Sequence, residues 1–347
     1  MSPFVLLTII SSLGLGTAIT FSSSHWLLAW MGLEINTLAI LPIMSKTHHP
    51  RAIEATTKYF ITQATAAAVI LFASTTNAWM SGQWEINQMS SQASVVMLTL
   101  ALALKLGLAP IHFWLPEVLQ GLDLITGLIL STWQKLAPFA LLIQMSHIVP
   151  SLTLLLGLCS MLIGGWGGLN QVQLRKILAY SSVAHLGWMV IVVQFAPNLT
   201  VLALSTYIIM TTSAFLTLVF FSTTTINSLA NSWTKSPTLT AMFPLVVLSL
   251  GGLPPLSGFM PKWLILQELT KQNLTVMATA SAMSALISLY FYLRLSYAMT
   301  LTTSPNTAAS ATPWRLYSNI PSLFLAFSIS LTALMLPLTP TILTLST

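Results

Sequence analysis

Three ionisable residues stand where hydrocarbon should be. Lys105 and Lys135 lie well inside the apolar stretch from Leu98 to Pro138, and Glu34 lies near the middle of WLLAWMGLEINTLAILPI. A lysine at the centre of a membrane helix costs about 2.5–3.5 kcal/mol on insertion scales. Burial and a nearby opposite charge decide whether such a group is charged or neutral, so a buried carboxylate and lysine set can take up and release protons. The chemistry these residues suggest is a buried proton relay. For Glu34 the plainer alternative is a protonated carboxyl in a structural hydrogen bond, and for Lys105 it is snorkelling to an interface.

Three further residues extend the set. Lys262, in GFMPKWLILQEL, is either a relay group at mid-membrane depth or a lysine near an interface. His185, in SSVAHLGWMVIV, can relay protons as a neutral imidazole or simply satisfy an interhelical hydrogen bond. His112 falls in an interrupted segment with the same two readings. His25, His48, His49 and His147 fall at span ends and read as interfacial. No histidine pair has metal-ligand spacing on a clear face, so no metal is expected. Glu117 and Asp123 bracket a short connection, either steering cations or solvated as loop acids. Glu54 and Lys58 stand at i,i+4 in the favourable order and predict a surface pair. Glu268 is an exit group or interfacial.

The elements that position these residues are membrane helices. Of the 347 residues 55% are hydrophobic and only 5% charged, with a mean hydropathy of +0.84. Soluble domains carry about 25% charged residues. The net charge of +6 is dispersed, without the basic stripe that nucleic acid requires. The one cysteine, Cys159, excludes an internal disulfide and a cysteine-ligated cluster or structural zinc site. A G-x-G-x-x-G dinucleotide motif is absent. No redox cofactor can be placed on this chain from its residues.

At about 20 apolar residues per crossing, the chain holds about eleven spans. They run over roughly 3–21, 25–44, 56–79, 92–116, 122–146, 151–169, 174–195, 199–222, 240–269, 274–298 and 319–340. The first, apolar from Met1 to Phe21, lacks a basic flank and a small-residue cleavage site and reads as a span, not a signal. Lys46, Arg51, Arg175, Lys176, Lys235, Arg294 and Arg315 all fall on one side under this count, with Lys271 the exception. The positive-inside rule then places the N-terminus inside and the C-terminus outside.

A weak repeat crosses two of the spans. GLAPIHFWLPE at 107–117 and GLPPLSGFMPK at 252–262 share G-L-x-P-x5-P followed by a charge, 145 residues apart. Paired Gly/Pro interruptions in two halves of a membrane protein point to a transporter's midplane site.

The segments SSHWLLAWMGLE, KYFITQATA, ALKLGLAPIHFWLPEVLQG, STWQKLAPF, GGWGGLNQVQLRKILAYSSVAHLGWM, LSLGGLPPLSGFMPKW and LYFYLRL resemble the antiporter-like membrane subunits of mitochondrial respiratory complex I, NADH–ubiquinone oxidoreductase, of the vertebrate chain 2 type. The likeness runs from about residue 20 to residue 298. It implies an all-α polytopic membrane protein of about eleven transmembrane helices, with two inverted five-helix repeats at 1–146 and 151–298, each containing a broken helix, and a loop and C-terminal helix at 299–347. It also implies a non-redox core subunit of a proton-translocating NADH:ubiquinone reductase in the mitochondrial inner membrane, with the N-terminus in the matrix. In the family a glutamate on the second span pairs with a lysine on the fourth, matching Glu34 and Lys105. The next lysines match Lys135 and Lys262, and His185 lies in the motif of the intervening span. NADH, FMN, iron–sulfur clusters and ubiquinone would be bound by other subunits. Expected partners are the other core and accessory subunits, neighbouring antiporter-like subunits among them, and lipids such as cardiolipin, but not nucleic acid. Two rival readings stay open: a stand-alone cation/proton antiporter, which needs its own ion site, and a membrane scaffold whose buried charges only lock helices together.

Overall fold

A computed structural model describes residues 2–145, 149–301 and 322–346. His147 and Arg315 lie outside the described residues, as does most of the loop expected after span ten. The fold is all helical, with two isolated backbone bridges in place of strands among the described residues. The chain divides into two compact units, Met1–Cys159 and Ser160–Thr347.

The first unit holds α1 (Pro3–Ser22), α2 (Trp26–Met44), α3 (Pro50–Ser81), α4 (Gln92–Leu106), α5 (Trp114–Gly121) and α6 (Leu124–Gln144). Without a hydrophobic drive between helices, membrane helices associate where small residues admit close approach. Gly16 and Gly32 do this between α1 and α2. A Cβ on Gly32 would lie 2.6 Å from the Thr20 methyl and 2.9 Å from the Gly16 carbonyl oxygen. Helix α3 packs on α2, α4 and α5, and α6 packs on α1, α2 and α4. At one end of α3 the connections meet in a His25–Glu85 bridge, with His25 stacked on Trp84 at 5.4 Å. At its other end Gly121 abuts the Arg51 carbonyl.

Helix α7 (Pro150–Gly168) contains the boundary of the units. The second unit continues with α8 (Leu174–Val192), α9 (Pro197–Phe221), the short α10 (Ile226–Ala230), α11 (Pro237–Gly251), α12 (Phe259–Lys271), α13 (Thr275–Thr300), α14 (Ser322–Leu334) and α15 (Thr339–Ser346). Helix α8 is buried almost throughout and packs on α9, α12 and α13. The glycine cluster at the end of α7 fits this core: Gly164 lies against Ala184, Gly167 beneath the Tyr180 ring and Gly168 against Phe291. Helix α14 packs on α9 and α11, and the Thr332 carbonyl accepts a hydrogen bond from Ser257 at 2.7 Å.

Each expected span contains a helix, but among the described residues seven helices are long and apolar enough to cross a membrane by themselves: α1, α2, α3, α6, α7, α9 and α13. Helices α4 and α11 are shorter because their segments are interrupted, and α8 carries Arg175, Lys176, Ser181, Ser182 and His185.

Both interruptions have the same backbone cause. Gly107 has φ 79° and ψ 40°, and Gly252 has φ 78° and ψ 38°, the left-handed conformation that ends a helix. The next residue closes a Schellman motif in each case: Leu108 N–H donates to the Ala103 carbonyl at 2.9 Å, and Leu253 N–H to the Leu248 carbonyl at 3.3 Å. In these two segments glycine supplies the left-handed residue and leucine the apolar position that follows it, whereas Gly32-Leu33 and Gly127-Leu128 continue inside α2 and α6. The later prolines, Pro116 and Pro261, fall in the first turns of α5 and α12, where a helix needs no N–H.

A methyl group tests the two stops. Gly82, at φ 72°, has open space where a Cβ would stand, whereas a Cβ on Gly107 would lie 2.8 Å from Leu115 Cδ1 and one on Gly252 2.8 Å from Lys262 Nζ. Gly82→Ala is expected to cost about 1–2 kcal/mol for the backbone alone. Gly107→Ala and Gly252→Ala should both cost more, and thermal denaturation of the three variants should show Gly82→Ala as the mildest.

Candidate functional site

In the first unit, α4 and α6 bring Lys105 and Lys135 to one buried cavity of about 20 Å³, whose polar lining also includes Asn36, Tyr59, Gln63 and Gln134. Lys105 is 5% and Lys135 3% exposed. Lys105 sits in the last turn of α4, just before Gly107, where the open carbonyl end favours a cation. Its Nζ has no hydrogen-bond partner among the described residues. Lys135 lies one turn from Pro138, which cannot donate an N–H to the Gln134 carbonyl. The Gln134 side chain reaches across to α2, donating to the Asn36 carbonyl at 3.3 Å.

Glu34 does not form the expected contact pair. Its Oε2 is buried without a hydrogen-bond partner, and no ion pair within 4 Å joins it to Lys105 among the described residues. His112, 2% exposed, lies in the break with its Nδ1 3.3 Å from the Pro110 carbonyl oxygen and its ring on Phe113. Neither Glu34 nor His112 lines the cavity. Trp114 caps the interrupted α4, its indole N–H donating to the Leu104 carbonyl at 3.1 Å, and its ring packs against Tyr59.

In the second unit, His185 on α8 and Lys262 on α12 line another cavity of about 20 Å³. Lys262 Nζ donates to the Gly251 carbonyl at 2.7 Å and the Leu250 carbonyl at 3.4 Å. These are the last carbonyls of α11, which have no partner inside their own helix. His185 Nε2 is 3.5 Å from the Tyr292 hydroxyl, and its ring centre is 5.6 Å from that of Tyr207. Tyr207 is hydrogen-bonded to Ser182 and Tyr292 to Ser181, so both tyrosines beside the imidazole are tied to serines of its own helix. The S-S-x-x-H spacing places Ser181 and Ser182 on the histidine's face of α8. The tyrosines lie in apolar runs of other helices and carry no local signal.

The repeat's terminal charges have different fates. At Lys262's register position the first break has Glu117, which pairs with Lys58 at 2.7 Å. Lys58 also makes the expected pair with Glu54 at 2.7 Å, and all three side chains are substantially exposed. Other cations close helix ends. Lys235 donates to the Phe221 carbonyl and, at 2.8 Å, to Ser222 Oγ at the end of α9. Arg294 donates to the Leu169 carbonyl just past α7 at 2.6 Å. Glu268 pairs with Lys271 at 3.4 Å. Among the described residues, no three His, Cys, Asp or Glu side chains converge as a metal site would require.

Residues 23–288 match the family model described as NADH:quinone oxidoreductase/Mrp antiporter, TM, and residues 289–343 match NADH dehydrogenase subunit 2 C-terminus. The chain is 69% identical to NADH-ubiquinone oxidoreductase chain 2 of Carassius auratus and also 69% identical to that of Salmo salar, with all of both chains covered in each case. Among solved structures, a chain of respiratory complex I from Thermus thermophilus superposes with a TM-score of 0.84 at 26% identity, over 100% of this chain and 78% of that one. A chain of the Mrp complex from Dietzia shares the fold at a TM-score of 0.76 and 15% identity, over 97% of this chain and 74% of that one. The chain belongs to the NADH-ubiquinone oxidoreductase chain 2 family, the antiporter-like membrane subunits of respiratory complex I.

Proposed function

We propose that this chain moves protons across the mitochondrial inner membrane as a non-redox core subunit of complex I, coupled to electron transfer from NADH to ubiquinone. In this reading Lys105 and Lys135 exchange protons in the first unit, biased by Glu34, while His185 and Lys262 exchange them in the second, and His112 is an accessory relay group at the first break. NADH, FMN, iron–sulfur clusters and ubiquinone belong to other subunits. The residues 1–146 and 151–298 act as inverted five-helix repeats within an eleven-span chain, followed by the 299–347 segment. Other core and accessory subunits, neighbouring antiporter-like subunits and membrane lipids such as cardiolipin surround it.

The observation that carries this reading is the pair of almost fully buried lysines on one polar cavity. A scaffold needs no such pair, because an apolar side chain of similar volume stabilises as well or better. The energies are compatible with pumping. Moving one charge against the membrane potential costs about 2.3 kcal/mol per 100 mV. Each unit by which a lysine's proton affinity changes with its surroundings is worth about 1.4 kcal/mol.

Lys135→Met keeps the side chain's length and removes its proton. Proton uptake by the reconstituted, fully assembled complex is expected to fall by at least about tenfold, the factor for one such unit. Normal pumping with normal assembly would exclude a relay through Lys135. Orientation has its own measurement. The basic ends that carry Lys46, Arg175 and Lys235 are expected on the matrix side with the N-terminus. Lys46→Cys and Lys271→Cys, each in a Cys159→Ser background, should therefore react differently with an impermeant maleimide in mitoplasts. Only Lys271→Cys should be labelled before the membrane is permeabilised, and the reverse order would invert the topology.

A further inference from the structure

The relay residues account for two of the polar groups on the first cavity but leave its amides without a role. Asn36 is 2% and Gln63 3% exposed, and both line the cavity with Lys105 and Lys135. Asn36 Oδ1 and Nδ2, Gln63 Nε2 and Lys105 Nζ are all buried without a hydrogen-bond partner among the described residues. Leaving four such groups unsatisfied is far more costly than immobilising a water among them. A cavity of about 20 Å³ exceeds the minimum a single water requires.

We propose that Asn36 and Gln63 are positioning residues that hold one water against Lys105, and that this water carries the proton between Lys105 and Lys135. The inference rests on the relay reading above and names the groups that complete it. The inventory of donors and acceptors fits. With Lys105 charged, the water accepts from Lys105 and Gln63 and donates to Asn36 Oδ1. With Lys105 neutral, it donates to the amine lone pair and accepts from Asn36 Nδ2. An amide serves both states because it carries a donor and an acceptor on a neutral group. A carboxylate in its place would favour one state of the lysine throughout.

The transfer balances. An N–H bond of Lys105 breaks as an O–H bond forms on the water, and another O–H bond of that water breaks as an N–H bond forms on neutral Lys135. One proton leaves the first lysine, one arrives at the second, and the water is restored. The backbone beneath this side chain is fixed by Gln134, beside Lys135, which donates to the Asn36 main-chain carbonyl at 3.3 Å. Gly16 makes room for the side chain, since a Cβ there would lie 2.5 Å from Asn36 Oδ1.

The test separates hydrogen bonding from packing. Asn36→Leu keeps the branched side-chain skeleton and loses the donor and acceptor, while Asn36→Ser loses volume and keeps both. Proton translocation per NADH oxidised is measured in proteoliposomes of the assembled complex, with Lys135→Met in parallel. Asn36→Leu is expected to lower translocation by about tenfold, as losing one hydrogen bond to a charged group would, and Asn36→Ser to stay within about twofold of the parent. A packing role predicts the opposite order, and either that order or equal losses in both variants overturns the proposal. Parental pumping by Asn36→Leu alongside loss in Lys135→Met also overturns it while the relay stands. Parental pumping by Lys135→Met removes the relay and this inference with it. Should Asn36→Leu fail to assemble, Gln63→Met, near in shape and without the amide, is read by the same criterion: loss supports the proposal and parental pumping overturns it.

Discussion

A helix that stops inside a membrane leaves its last carbonyls with no water to turn to. That constraint governs both interrupted segments. The left-handed glycines Gly107 and Gly252 make the stops possible, and the Schellman bonds of Leu108 and Leu253 satisfy part of each exposed end. The remaining carbonyls need donors from elsewhere, and the choice of donor distinguishes the two units. In the first, the neutral indole of Trp114 takes the Leu104 carbonyl. In the second, the ammonium of Lys262 takes those of Leu250 and Gly251.

This difference decides what the lysines are free to do. Lys105 stands at a helix end already capped by an aromatic N–H, so its own donors face a polar cavity shared with Lys135. Lys262 is engaged by backbone and meets His185 across a cavity otherwise lined largely by apolar atoms. The histidine in turn stands among hydroxyls from three helices. The same break, repeated, therefore carries two different electrostatic arrangements. The apolar remainder of each unit fixes both by close packing, as at Gly16 and Gly32 or Gly164 and Ala184.

Much of the arrangement could be read in the residues because its causes are local. A glycine and leucine ahead of proline stop the helix in both interrupted segments, and Glu54 meets Lys58 because four residues make just over one turn. The charges buried in apolar runs named the two lysines of the cavity directly. What could not be read depends on partners distant along the chain. Lys58 also captures Glu117, 59 residues away, and Tyr207 and Tyr292 reach His185 from separate helices. Asn36 looked like one polar residue among many on α2, and only α3, α4 and α6 make it part of a site. The pairing of Glu34 with Lys105 that the family resemblance implies is not a hydrogen-bonded contact here, since placement on two helices does not set side-chain direction.

The grip of Lys262 on α11 also binds titration to mechanics. Its ammonium offers three hydrogens and a full charge to the Leu250 and Gly251 oxygens, whereas the free amine offers two and none. Cohesion of the helix end and occupancy of the lysine by a proton are thus reciprocal quantities: whatever pulls on one must shift the other by an equal free energy. The loop beyond Gly252 is anchored again through Ser257 to Thr332 on α14, so a tug on that helix and a change in the charge of Lys262 bear on the same few residues of backbone.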